Sequence, residues 1–260
     1  MKLAAILLLA VATGAQADGH VLRIPTRPGI STTVYWEPVP GATATVLLMA
    51  GGRGGFGGLE GGRPGSANFL IRSIPHFVAQ RVNVAALGRP SDRPDLDPYH
   101  RLSAEHVQDI RAVVARIRQE SGQKVWLVGT SRGSTSAASA AIAIQDGSVA
   151  GLVLSSSITS QRDSGSVALL GLAAIRVPTL VIHHEKDECR HTLAHEVSYV
   201  VDGLQNAPAK KLVIAKGGAD PTGDECGPYH RHGYEGMERE AVASIAAFIR
   251  GEGDAPLQLR

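Results

Sequence analysis

Apolar and polar positions fall into short blocks whose period switches repeatedly along the chain. Nearly unbroken apolar runs at 44–49, 82–87, 125–128, 149–154, 179–183 and 211–215 read as strands buried on both faces, as parallel strands are. Two shorter runs, 21–24 and 32–36, flank Pro28-Gly29 and predict a pair of strands joined by a turn. Helical patterns alternate with these runs. At 103–122, residues Val107, Ile110, Val113, Val114 and Ile117 repeat at spacings of three and four, between Ser103 and Gly122 as start and stop signals. Further helices are predicted at 68–81 (with Pro75 interrupting), 132–145, 167–175, 192–204 and 238–250. Such alternation implies βαβ crossovers and an α/β fold, a mostly parallel central sheet flanked by helices on both faces. No internal repeat or linker divides residues 18–260, so one domain is expected.

The first residues belong to a different pattern. Met1-Lys2 is a short basic start, residues 3–12 are apolar, and Ala15-Gln16-Ala17 is a small-x-small cleavage site. Together they predict a signal peptide over 1–17 and export to the periplasm or beyond, because the apolar run is too short to span a bilayer. No cysteine follows the cleavage site to take a lipid. The formal charge of +2 lacks the basic excess of a nucleic-acid surface, so no nucleic-acid partner is expected. The two cysteines, Cys189 and Cys226, are expected to pair in an oxidising compartment.

The candidate chemistry begins in "KVWLVGTSRGSTSAA", where a strand runs into Gly129-Thr-Ser131-Arg-Gly133 and then a helix. Ligands of parallel sheets bind at the carboxyl ends of strands, where Ser131 falls. This order of elements and the "GTSRG" turn resemble the α/β-hydrolase family, over nearly the whole of 18–260. The resemblance implies a nucleophile at Ser131, an acid at Asp187 four residues past the strand at 179–183, and a histidine in the loop "DECGPYHRHGYEG". His232 and His230 both lie there. His232 is favoured because it precedes Gly233, although the two would share one side of an extended segment. Arg132 is implied as one oxyanion donor through its amide, and Gly52 or Arg53 of the glycine-rich loop as the other. The runs "NFLIRSIPHFVAQRVNVAAL" and "GRPSD" also resemble a group of secreted bacterial α/β-hydrolases, which implies no substrate. In the implied fold the loops of Cys189 and Cys226 meet above adjacent strands, so a disulfide would tie the acid loop to the histidine loop. Only about 20 residues separate the strands at 149–154 and 179–183, enough for a crossover but not for a cap domain.

Competing chemistries are weaker. Gly52-Arg-Gly-Gly-Phe-Gly57 matches a dinucleotide fingerprint in letters, but no helix pattern starts at its last glycine. His183, His184, Glu185 and Asp187 lack a metal-ligand spacing. Asp92, Asp95 and Asp97 lack the glycine and glutamate of a calcium loop and are expected to form a solvated loop at the site's edge. No cofactor and no metal is therefore expected. The expected function is a secreted serine hydrolase acting on a small-molecule ester. Hydrolysis of a related amide or thioester stays open, as does a non-catalytic binding protein on the same fold.

Overall fold

A computed structural model describes residues 19–252 and the backbone of 258–259; the predicted signal peptide lies outside the described residues. The strands are β1 (His20–Arg27), β2 (Ile30–Glu37), β3 (Ala44–Met49), β4 (Leu59–Glu60), β5 (Arg63–Pro64), β6 (Val82–Pro90), β7 (Val125–Ser131), β8 (Val149–Ser157), β9 (Thr179–His184), β10 (Lys210–Ala215) and β11 (Gln258–Leu259). Nine of them form one sheet in the order β1-β2-β6-β3-β7-β8-β9-β10-β11, while β4 and β5 pair as a small hairpin. β1 and β2 run antiparallel, and every pairing from β6 to β11 is parallel.

Both faces of the sheet are covered. Along β3, Leu47 and Met49 face one layer and Val46 and Leu48 the other, as the period of two requires. The first layer holds α4 (Ala104–Ser121), α5 (Arg132–Ala143) and α6 (Val197–Gly203), following α1 (Phe69–Arg72), α2 (Ile74–Ala79) and α3 (Pro98–Arg101) in the chain. The second layer holds α1, α2 and α7 (Glu238–Ile249), with Phe69, Phe77 and Ile245 fully buried against the strands. Burying such side chains contributes about 1.5–3 kcal/mol each before the entropy of ordering is counted.

Three predicted helices come out differently. The 68–81 pattern splits at Ser73, because Pro75 cannot continue α1 but fits the first turn of α2. Residues 167–175 form two 3-10 turns, Val167–Leu169 and Leu172–Ala174, parted by Gly171. The 192–204 pattern is helical only at Ala194–Glu196, as a 3-10 turn, and through α6. The crossover from β8 to β9 is therefore short and irregular, and no large cap domain stands over the strand ends. No helix among the described residues is long and apolar enough to cross a membrane.

Candidate active site

Ser131 ends β7 and stands before α5 with φ 52° and ψ −130°, a left-handed conformation costing roughly 1–3 kcal/mol in a non-glycine residue. Its neighbours make the turn possible. A Cβ on Gly129 would collide with the Gly133 carbonyl, and one on Gly133 with the Met49 carbonyl. A Cβ on Gly51 would come within 2.7 Å of the Ser131 Cβ. Glycine at these three places lets the strand end, the helix and the loop after β3 converge on one hydroxyl. The Ser131 carbonyl accepts a 2.6 Å bond from Ser134 Oγ, whose oxygen in turn accepts from the Ile158 N–H at 3.3 Å.

The acid and histidine come from loops after β9 and β10. His232 Nδ1 lies 3.0 Å from Asp187 Oδ2, with both side chains buried. Thr192 Oγ1 donates to the same Asp187 oxygen at 2.8 Å and lies 3.1 Å from His232 Nδ1. The Cys189 N–H donates to Asp187 Oδ1 at 3.0 Å. Burial pushes the Asp187 pKa up, but the His232 hydrogen bond and charge, His183 and the Cys189 amide outweigh it and hold the carboxyl below its ordinary range. A carboxylate bonded at Nδ1 leaves Nε2 of His232 free to accept a proton.

His230 sits elsewhere. Its Nε2 is 3.5 Å from Glu188 Oε2, and it does not line the cavity that Ser131 and His232 share. The segment is a 3-10 turn, Arg231–Gly233, so the two histidines do not share the one side that an extended segment would give them. Gly233 is required because a Cβ there would strike the Pro228 carbonyl. Ser156 Oγ donates to the His232 carbonyl at 2.9 Å and fastens the turn to the end of β8. Cys189 and Cys226 form a disulfide with Cα atoms 4.6 Å apart, joining the acid loop to the loop before His232.

Ser131, His232, Gly52, Arg53 and Phe69 line one cavity of about 350 Å³. Among the described residues neither Gly52 nor Arg53 donates its N–H to another backbone group, whereas the Arg53 carbonyl accepts from the Leu96 N–H at 2.9 Å. Those two amides line the cavity beside Ser131, and that of Arg132 stands at the first position of α5. Arg132 lines a neighbouring cavity with Ser131 and makes no ion pair among the described residues.

The other polar groups are engaged. His183 Nε2 donates to the Thr192 carbonyl at 2.9 Å; His184 bonds the Gly217 carbonyl and the Lys186 N–H. The three carboxylates lie on a largely exposed loop, as expected, and each also has a partner: Asp92 pairs with Arg27, Asp95 lies 3.5 Å from Arg53, and Asp97 caps α3. His100, His106 and Asp109 bring one ligand atom each within 4.8 Å of one another. Asp109, however, takes both oxygens to Arg27 at 2.8 and 3.0 Å, so the charge a cation would supply is already present. The β4–β5 hairpin, not a helix, follows the Gly52–Gly57 run. Sequence reasoning misses Thr192, which carries only a helix-start signal.

No protein-family model matches the chain, and no curated protein matches it by sequence. Solved structures do resemble it. An esterase of Pyrococcus furiosus superposes with TM-score 0.67 at 13% identity, covering 94% of this chain and 95% of that one. An α/β serine hydrolase without lid from Xanthomonas campestris gives TM-score 0.57 at 17% identity, over 89% of this chain and 94% of that one. An α/β serine hydrolase homologue from Coxiella burnetii gives 0.59 at 14%, over 90% and 97%. The chain has the α/β-hydrolase fold.

Proposed function

We propose that this protein is an exported serine hydrolase that cleaves a small-molecule ester through an acyl-enzyme intermediate. The reading rests on one observation above all. The strained Ser131 turn opens into the same cavity as His232, whose Nδ1 is bonded to the buried Asp187. Ser131 Oγ attacks the ester carbonyl while His232 Nε2 takes its proton, since a serine hydroxyl is a weak nucleophile alone. Asp187 and Thr192 hold the imidazole with its proton on Nδ1, and Asp187 stabilises the imidazolium that forms. The carbonyl oxygen gains negative charge and is met by the Arg132 amide and an amide of the Gly52–Arg53 loop; each donor is worth about 3 kcal/mol of barrier. His232 then gives its proton to the leaving alcohol, and a water activated by the same histidine releases the acid. Residues 18–260 act as one domain, and the disulfide supports an oxidising compartment for it.

An ester panel of graded acyl length tests this reading. Nitrophenyl acetate and butyrate should turn over without a jump in rate at the solubility limit of longer esters, because no cap covers the cleft. A panel with no ester cleaved would reject it.

A further inference from the structure

Arg101 heads the fully buried side chains by size, at 1% exposure, and has no carboxylate partner among the described residues. A desolvated charge without a counter-charge is costly and needs a reason. All its bonds are to neutral oxygens. Nε donates to the Leu96 carbonyl at 2.9 Å and Nη1 to Ser136 Oγ at 2.9 Å. Nη2 is shared between the carbonyls of Ala50 and Gly52, 3.2 Å from each. Burial, and then the nearby Arg132, pull its pKa down to about 9 against the smaller opposing effect of Asp97 and Asp95, neither of which touches it, and the guanidinium stays charged at neutral pH.

These partners belong to three parts of the site. Ala50 and Gly52 are in the loop after β3, Leu96 precedes α3, and Ser136 is on α5 one turn beyond Ser131. Ser136 Oγ also lies 2.8 Å from His106 Nε2. Since Ser136 accepts from Arg101, its hydroxyl proton is free to go to His106, so the chain of donors runs outward from the guanidinium. In a trans peptide the C=O and the next N–H point in opposite directions. Pinning the Gly52 carbonyl toward Arg101, in the interior, therefore turns the Arg53 N–H away from it, toward the cavity that Arg53 lines with Ser131.

We propose that Arg101 is a positioning residue for the oxyanion site: it aims the Arg53 N–H at the alkoxide formed on Ser131 attack and puts behind it a positive charge that no carboxylate contacts. This rests on the hydrolase reading above. The close counter-charge that Arg101 lacks is supplied by the oxyanion, which exists only in the tetrahedral state, so the arrangement favours that state over bound ester.

The test compares wild type with Arg101→Met, Arg101→Lys and Ser136→Ala, using nitrophenyl butyrate turnover and the affinity of phenylboronic acid, whose adduct with a serine is tetrahedral and anionic. Arg101→Met should lower kcat about 100-fold, the loss typical of an oxyanion contact, with KM within about two-fold. The boronic acid Kd should rise in step with the fall in kcat. Arg101→Lys, which keeps charge but lacks the planar fork that reaches all four partners, should fall between, and Ser136→Ala should lose about three-fold in kcat. If Arg101→Met does not fold, the two milder variants decide by the same ratio. Folded variants with wild-type kcat, or with lowered thermal stability and unchanged boronic acid affinity, would overturn the proposal while leaving the hydrolase reading standing. A wild-type protein that neither cleaves the ester nor binds the boronic acid would reject both.

Discussion

Ser131 is held by local structure: a left-handed φ of 52°, three glycines that let strand, helix and loop touch, and a carbonyl that accepts from the Ser134 hydroxyl three residues ahead. His232 is held by side chains reaching across long sequence distances. Asp187 and Thr192 grip its imidazole, Ser156 its carbonyl, and the Cys189–Cys226 bond closes the loops around it. The difference follows from position. Ser131 lies between two regular elements that fix its backbone, whereas His232 lies in the loop running from Lys216 to Met237, which has only one 3-10 turn of its own. Such a loop gains a single conformation only from added contacts.

Substitutions that touch one side alone can break this comparison. Asp187→Asn should have the largest effect, lowering kcat by roughly 10⁴ while the protein stays folded, because an amide can still accept from Cys189 N–H but no longer sets the Nδ1–H tautomer. Kinetics with circular dichroism checks this; a loss under ten-fold would remove Asp187 from the mechanism. Next comes the disulfide. Its half-cystines are 37 positions apart, so replacing both by serine should cost about 4 kcal/mol of stability in the chain-entropy model. Denaturant unfolding measures it. At temperatures where the variant stays folded, turnover should fall through the histidine side alone, leaving the Ser131 turn intact. Thr192→Val is the smallest change. It removes a hydroxyl bonded to a carboxylate, worth about 1.5–3 kcal/mol, and should lower kcat about ten-fold with KM unchanged. A wild-type kcat would assign that bond to folding only.

Legibility in the sequence divides along the same line. The Ser131 turn is local, and its glycines and flanking apolar run mark it within a dozen letters of the chain. Asp187 and His232 follow from the order of elements, yet nothing local separates His232 from His230. An extended segment would put both on one side; the 3-10 turn over Arg231–Gly233 separates them. Thr192 and Arg101 carry no such mark. Thr192 acts because the chain turns back after Cys189, whose carbonyl accepts the Thr192 N–H at 2.9 Å. Arg101 reads as one more charge on a polar stretch, and its burial depends on residues 50, 52, 96 and 136 meeting around it. At 167–175 the apolar spacing suggests an α-helix, but Gly171 in its middle leaves two separate turns.

The central claim is that Ser131 is a nucleophile activated by His232 and Asp187, and fluorophosphonate labelling followed by peptide mass spectrometry tests it most directly. The account predicts one stoichiometric adduct on Ser131 in the wild type, none in Ser131→Ala, and labelling slowed by orders of magnitude in Asp187→Asn. Folded wild-type protein that takes no label, or takes it on a residue other than Ser131, would contradict it.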